Sequence, residues 1–492
     1  MNEPEAAVAF HLQTRHGSPV DRSRLVDFQP LDPTNRPAPF KRYAGREPRP
    51  LPRAIDEPGD LGRLLFLTAG VTRVTDSRAL DGRTYFRAAM SAGNLHPVEL
   101  YVVGADGVDH YDPLGHGLTR LRGASGPPAG GATVIVLTGI PWRTAWKYGE
   151  RGYRHLFWDA GACLANLLAV AAADGVTARV WLGFDDDAVA RVVGVDGITE
   201  FPLAVVTLGG DAGPPDWPPV DALDLDVEAI SPRPIEFPLI TTTHRAGALA
   251  AGAVEAWRAA AAAFDGEPAA SDIALPGGRE LPPVEDLILA RGSTRMMRRE
   301  TAPRELLDRG MAGASSPVPG DFVAAGRTLL SHFLSVHGIE GVPSGAYRWH
   351  ADVRELAAIR LGEVREAAEL LCLRQPLGGD SAFTAFHSAD LDPVLRALGT
   401  RGYRAAELES GIAAGRLSLA AFALGYGATG LTFFDAAVSQ FFETDAACML
   451  VTSVGVPAYR NTRGGGPGAT SELTRYGDLM TRLSLQLHRT GR

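Results

Sequence analysis

The sequence predicts an α+β protein made of two copies of one domain. Three observations lead there. Strand-like and helix-like segments mix in both halves without regular βαβ alternation, which favours α+β over a doubly wound sheet. Residues 151 to 185, RGYRHLFWDAGACLANLLAVAAADGVTARVWLGFD, align without a gap on residues 401 to 435, RGYRAAELESGIAAGRLSLAAFALGYGATGLTFFD, an offset of 250. RGYR recurs, as do Gly161 with Gly411, Leu167 with Leu417, Gly175 with Gly425, and Phe184-Asp185 with Phe434-Asp435. Between the copies, GGDAGPPDWPPVDALDLDVEAISPRPIEFP (209 to 238) is dense in Pro and Asp. Such composition suppresses helix and central strand and marks an extended surface crossover. At 492 residues the chain exceeds one hydrophobic core, and two copies in one chain can form an intrachain pseudo-dimer. The boundaries expected are a lead-in over 1–50, domain one over 51–212, a crossover with a connecting helix over 213–284, and domain two over 285–492.

Each element has its reason. VELYVVG (98–104) is β-branched and apolar, DHYDPLGHGLTRL (109–121) reads as a hairpin, and ATVIVLTG (132–139) as a further strand. Residues 143 to 174 carry apolar residues on all sides, as a buried helix does. ARVWLGF, a short helix DDDAVARVVGV and the strand FPLAVVTLG complete the unit. The second half answers with SHFLSVHG, GAYRWH, ELAAIRLG, a helix over 401–425, GATGLTFF and CMLVTSVG.

Composition excludes several classes. Hydrophobic residues are 45% and charged residues 21%, a globular balance, and the net charge of −9 disfavours nucleic acid and anionic membranes as partners. Cys163, Cys372 and Cys448 are far apart, with no metal-ligand spacing, and read as reduced thiols of a cytoplasmic protein. No basic segment followed by an apolar one opens the chain. The longest apolar stretch, ACLANLLAVAAA (162–173), is short of the ~20 residues that span a bilayer. No GxGxxG follows a strand, so a Rossmann site is not supported.

The chemistry-bearing stretches are few. In AMSAGNLHPVELYVV (89–103), Ser91, Gly93 and Asn94 let backbone N–H groups turn toward a ligand, and small residues let backbone approach a flat ring; a cap or turn ahead of a strand, with Pro97 holding His96 extended, explains the same residues. RGSTR (291–295) offers two guanidinium groups and a hydroxyl to a phosphate, or a solvated helix face. In WKYGERGYR, Lys147 and Tyr148 are either a surface lysine beside a core tyrosine or a base whose pKa a pocket lowers.

SAGNLHPVELYVV, WRTAWKYGERGYR (142–154), DAGACLANLLAVAAADG (159–175) and FDDDAVARVVG (184–194) together resemble the FMN-dependent nitroreductase superfamily, in its SagB/ThcOx-type dehydrogenase branch. The lead-in FHLQTRH (10–16) and NRPAPFKRYAG (35–45) resembles that of tandem members. The resemblance implies FMN at the interface of two such domains. Carried over by position, Arg291, Ser293 and Arg295 hold the phosphate and ribityl chain. Ser91, Ala92, Asn94 and His96 belong to the flavin site of domain one, and Gly430, Leu431 and Thr432 lie near flavin N5. Arg460 or Arg463 completes the phosphate site, while Lys41 is basic but outside the clamp. Domain one has no RGSTR element, and domain two has GASSPVPGDF (313–322) where SAGNLHP should be, so one composite site is expected and its pseudo-symmetric partner around Gly183 is expected to be empty.

The same resemblance implies dehydrogenation of azolines to azoles in peptide natural-product biosynthesis, with Lys147 and Tyr148 taking the proton and His96 the next group to test. The substrate is then a modified peptide or similar small molecule, and a cyclodehydratase or other biosynthetic protein is the expected partner; a homodimer of the whole chain is left open. An NAD(P)H-dependent nitroreductase and a flavin-free scaffold subunit are the two alternatives.

Overall fold

Alternating and continuous β-branched runs assemble into two antiparallel sheets of seven strands each in a computed structural model of the chain, which describes residues 4–17, 31–77, 82–124, 132–210, 213–270 and 281–473. The first sheet contains β1 (Arg49–Pro50), β2 (Val98–Gly104), β3 (Gly107–Asp112), β4 (Gly117–Arg122), β5 (Thr133–Gly139), β6 (Ala178–Trp181) and β7 (Phe201–Leu208), in the order β1-β4-β3-β2-β5-β7-β6. The second contains β8 (Met297–Arg298), β9 (Ser331–Val336), β10 (Gly345–His350), β11 (Glu355–Leu361), β12 (Phe383–Ala389), β13 (Gly427–Leu431) and β14 (Ala447–Pro457). Its order is β8-β14-β12-β9-β10-β11, with β13 also on β14. Apart from β1 and β8, strand follows strand in the same spatial order in both. Mixed helix and sheet in two tandem copies is the α+β architecture expected.

The two halves meet along helices. α1 (Pro141–Tyr148) leads into α2 (Gly152–Ala173), and α3 (Leu391–Ala423) packs on α2. They cross at the repeated glycines. A Cβ on Gly161 would stand 2.3 Å from the Leu408 carbonyl oxygen, and one on Gly411 2.5 Å from that of Trp158. Only hydrogen lets the backbones approach so closely.

RGYR recurs because its arginines are exchanged between the halves. Arg151 and Arg154 reach Asp435 at 3.0 and 2.7 Å, while Arg401 and Arg404 reach Asp186 at 2.5 and 3.1 Å, all buried. Arg151 also lies over the Phe433 ring and Arg401 over that of Phe184. Each half supplies to the other what it receives, the signature of a two-fold interface.

Several elements differ from expectation. The single helix over 143–174 is two, because Gly149 takes φ 54° after Tyr148 and a 3-10 turn at 149–151 restarts the chain. The second long helix begins at Leu391, well before 401, and is kinked at Gly399 (φ 60°). β12, FTAFHSA, and a hairpin over Val71–Ser77 and Gly82–Arg87 were not foreseen, since polar and charged residues dilute their alternation. Lys41 is no bystander: buried in the lead-in, its ammonium donates to Glu200 at 2.6 Å and to Tyr101 at 2.8 Å, tying the lead-in to the sheet. The run from Pro141 to Ala173 is apolar and long enough by composition to cross a membrane, but it is mostly buried inside the protein.

Candidate functional site

The SAGNLHP segment is a loop of left-handed residues. Gly93, Asn94 and His96 have φ of 63°, 58° and 48°, conformations in which Gly and Asn are tolerated and His is strained. Its own side chains hold it. Asn94 Nδ2 donates to the Tyr85 carbonyl at 2.8 Å, Asn94 Oδ1 meets His96 Nε2 at 2.9 Å, and the His96 amide donates to Ser91 Oγ at 2.8 Å. Ser91 Oγ donates in turn to Asp159 on α2 at 2.5 Å, and the Ala92 amide donates to the other carboxylate oxygen at 2.9 Å. The Ser91 hydroxyl and the Asn94 amide are thus taken up by Asp159 on α2 and by the Tyr85 carbonyl. Burial keeps His96 neutral, its pKa well below the ordinary 6.5.

α1 delivers Lys147 and Tyr148 to this loop. A Cβ on Gly93 would stand 2.6 Å from the Tyr148 hydroxyl and 3.3 Å from Lys147 Nζ. Lys147 is half-buried; burial first, then Arg295 and Arg36, lower its pKa, and no carboxylate opposes them among the described residues. Tyr148 moves the other way, since burial and the charge of Asp159 raise its pKa. Its ring sits edge-on to His155 at 4.0 Å, and His155 stacks on Trp158 at 4.4 Å.

Domain two closes the site from the opposite side. Arg291 is buried, donates to the Ala88 carbonyl just ahead of the loop, and has its pKa pushed down to about 10 by burial and by Arg73. Ser293 is half-buried beside it, and Arg295 is near enough to influence Lys147 and Tyr148. The Thr294 amide donates to Ala428 at 2.9 Å, which seats RGSTR beside β13. There Gly430 is exposed, and a Cβ on it would find only the Val451 carbonyl, at 3.9 Å. Leu431 is buried with Phe433 and Trp158, and Met90 packs against them; the Thr432 carbonyl accepts from Gln375 at 3.4 Å. Asn461 donates to the Gly292 carbonyl at 3.1 Å, bringing the 460–463 segment against RGSTR. Arg460 is exposed within it, whereas Arg463 turns to the surface and pairs with Asp286 at 2.6 Å. The structure therefore brings the loop, the Lys-Tyr pair and RGSTR together, and leaves Arg463 aside.

Around Gly183 the pseudo-symmetric region is filled. The Val180 amide on β6 donates to Pro319 at 2.8 Å, and the Asp321 carboxylate accepts from the amides of Leu182 and Gly183 at 2.7 and 3.0 Å. A Cβ on Gly183 would meet Arg258, Asp321 and Trp257 within 3.0 Å. The GASSPVPGDF segment thus caps β6 and does not stand in the place of SAGNLHP. That place belongs to Thr328 and Leu329, whose hydroxyl and amide donate to Glu409, each at 2.8 Å, as Ser91 and Ala92 do to Asp159. Glu409 follows Asp159 by the same offset of 250. Ser91 stands seven positions before β2 and Thr328 only three before β9, so no loop fits there.

Four residues that hold these regions have no place in the sequence-based site. Asp159 and Glu409 are acids at one position of the repeat, a signal that was present; Asp321 carries no local sign. Arg73 is buried and donates to the carbonyls of Leu289, Arg291 and Thr462 at 2.5, 2.9 and 2.6 Å, holding RGSTR in place.

Comparison with known proteins agrees with this architecture. The sequence model of the Nitroreductase family matches residues 66–210 and 338–456. Over 173 residues the chain is 28% identical to the microcin B17-processing protein McbC of Escherichia coli, covering 30% of this chain and 64% of McbC, just under two thirds of its length. Over 188 residues it is 27% identical to the nitroreductase-like protein MJ1384 of Methanocaldococcus jannaschii, covering 35% of this chain and 87% of that protein. A crystal structure of a nitroreductase-like protein from Anabaena variabilis superposes with a TM-score of 0.74 at 26% identity, over 92% of this chain and 99% of that one.

Proposed function

The chain belongs to the nitroreductase family of oxidoreductases, and from that premise we propose that it is an FMN-dependent dehydrogenase that oxidises azoline rings of a modified peptide to azoles. One observation carries the reading: a half-buried lysine, unopposed by any carboxylate among the described residues and flanked by arginines, lies with a tyrosine against the SAGN loop. The similarity to McbC, a microcin-processing protein, supports a biosynthetic role over a general reductive one.

The residues present fit FMN. Arg291 is a buried cation whose lowered pKa reports an environment short of negative charge, which a phosphate would supply. The backbone of Ala92 and Gly93 and the open face of Gly430 admit a flat ring. Arg291, Ser293 and Arg295 would hold the phosphate and ribityl chain, with Arg460 free to join them. Bound there, FMN would supply the two-electron acceptor for a hydride equivalent from the substrate.

The protein must then remove a proton from the adjoining ring carbon. Lys147 is suited to it, because a lowered pKa raises the fraction of free amine near neutral pH. Tyr148 keeps its proton and donates a hydrogen bond to the ring heteroatom or amide of the substrate, since its pKa is raised. His96, strained and bonded to Asn94, holds the loop. The test is anaerobic reduction of bound FMN by an azoline peptide. Lys147→Ala should retain FMN and slow reduction by roughly 10²- to 10⁴-fold, the usual share of a positioned base. Tyr148→Phe should retain FMN with a smaller loss. Reduction at the parental rate in Lys147→Ala would exclude that base, and reduction by NADPH but not by the peptide would assign a nitroreductase instead.

A further inference from the structure

We propose that Asp159, which lies outside the set of residues that contact FMN in the reading above, is the positioning residue of the flavin site: its carboxylate holds the Ser91–His96 loop in the left-handed form that faces the cofactor. This rests on that reading for the cofactor alone; the geometry stands apart from it.

Two groups on the helix layer hold the loop: Arg143 on α1 donates to the His96 carbonyl at 3.0 Å, and the Asp159 carboxylate on α2 takes the two donors at its start. Ser91 Oγ donates to one oxygen and the Ala92 amide to the other, at 2.5 and 2.9 Å. Ser91 Oγ then accepts the His96 amide at 2.8 Å, and His96 Nε2 meets Asn94 Oδ1 at 2.9 Å. The three residues at φ between 48° and 63° lie within the turn that this acceptor closes at its start. Without it, the Ser91 end of the loop loses its acceptor, and only the bonds from Arg143 to the His96 carbonyl and from Asn94 to the Tyr85 carbonyl are left, among the described residues, to oppose relaxation of the strained backbone. The equivalent acid in the other half provides an internal comparison, because Glu409 holds Thr328 and Leu329 in the same manner where the chain enters β9 directly and forms no such loop.

Asp159 is also poised to sense protons. It is buried, and burial raises its pKa to about 7 against the stabilising bonds from Ser91 and Ala92. The titratable and charged groups around it are Arg87 at the end of the hairpin strand, His96 in the loop, Tyr148 on α1, Cys163 one turn along α2, and Arg291 reaching in from domain two. His96 is neutral, Cys163 and Tyr148 are protonated, and both arginines are charged throughout the relevant range. Of these, only Asp159 changes charge near neutrality. The ionised form accepts from both donors. Protonation removes the negative charge that strengthens both bonds, which weakens the hold of Asp159 on Ser91 and Ala92 and loosens the loop.

The experiment is FMN binding by the apoprotein, followed by quenching of flavin fluorescence from pH 6 to 9, with circular dichroism on the same samples. In the parent, affinity should fall as pH drops through about 7. Asp159→Asn should bind FMN about tenfold or more weakly at pH 8, the loss of one charge-assisted bond, and its affinity should no longer step near pH 7. Glu409→Gln should keep the parental step. Should Asp159→Asn not fold, Ser91→Ala removes the same bond from the other side and is expected to lower and flatten the profile likewise. Parental affinity and an unchanged step in a folded Asp159→Asn or Ser91→Ala would overturn the proposal while leaving FMN binding intact; a parent that binds no FMN would overturn the cofactor reading instead.

Discussion

At the scale of single residues, the site is organised by charges left without opposite partners. Arg291 is buried with, among the described residues, only a carbonyl as the hydrogen-bond partner of its side chain and with Arg73 nearby, an arrangement that favours an incoming anion. Arg291→Ala should therefore lower FMN affinity by roughly 10- to 100-fold, the equivalent of a charge-assisted bond of about 1.5 to 3 kcal/mol, measured as flavin retained after gel filtration. Arg396→Ala is the matched control, since its guanidinium is 69% exposed and pairs with Asp392 one turn away. Lys41 cannot serve that purpose. Removing its ammonium would leave Glu200 buried without its cation, a change that costs stability of its own.

At the scale of elements, glycines decide where helices stop and how closely they pass. Gly149 ends α1 directly after Tyr148, so Lys147 and Tyr148 stand at a helix terminus, beside the loop. Gly161 and Gly411 set the distance between α2 and α3. Gly161→Ala should destabilise the protein by about 1 to 3 kcal/mol, because its Cβ would press on backbone, which cannot yield as a side-chain tip does. Chemical denaturation measures it. Gly252→Ala, on an open surface of the helix Ala251–Ala263, should be neutral or slightly stabilising.

At the scale of the whole molecule, a duplicated chain has become asymmetric in its sites while remaining symmetric in its interface. One FMN per chain is expected, since Pro319 to Asp321 occupies the edge of β6 and the amides of Leu182 and Gly183; flavin released from purified holoprotein against protein concentration should give a ratio of one, and two would refute a single composite site. The interface predicts a pH dependence. Arg151 and Arg154 hold the Asp435 carboxyl below its ordinary range despite its burial. Its contribution is complete above the unfolded carboxylate value of 3.8 and is lost as pH falls below it toward the depressed folded value. Asp435→Asn should cost about 3 to 5 kcal/mol at neutral pH, because two buried guanidinium groups lose the carboxylate they share and Arg154 keeps only the more distant Glu407, at 4.0 Å, among the described residues, and the difference from the parent should narrow in acid.

The duplication and the α+β class are legible from sequence, and the loop, the Lys-Tyr pair and RGSTR stand out in it as candidates, because each is a local pattern or a repeat of one. RGYR could be read as a repeat but not as an exchange, since its partner Asp435 lies 284 residues from Arg151. Whether Ser91 and Asn94 turn inward or outward was undecidable without Asp159, which is 68 residues from Ser91 and meets it only when α2 packs behind the loop. GASSPVPGDF was set opposite SAGNLHP by sequence order, whereas the shared acid of the repeat puts Thr328 there. Local propensity and periodicity determine which segments form. Burial, the pairing of distant charges and the filling of one site by a neighbouring loop depend on contacts across the chain, and only the tertiary structure decides them.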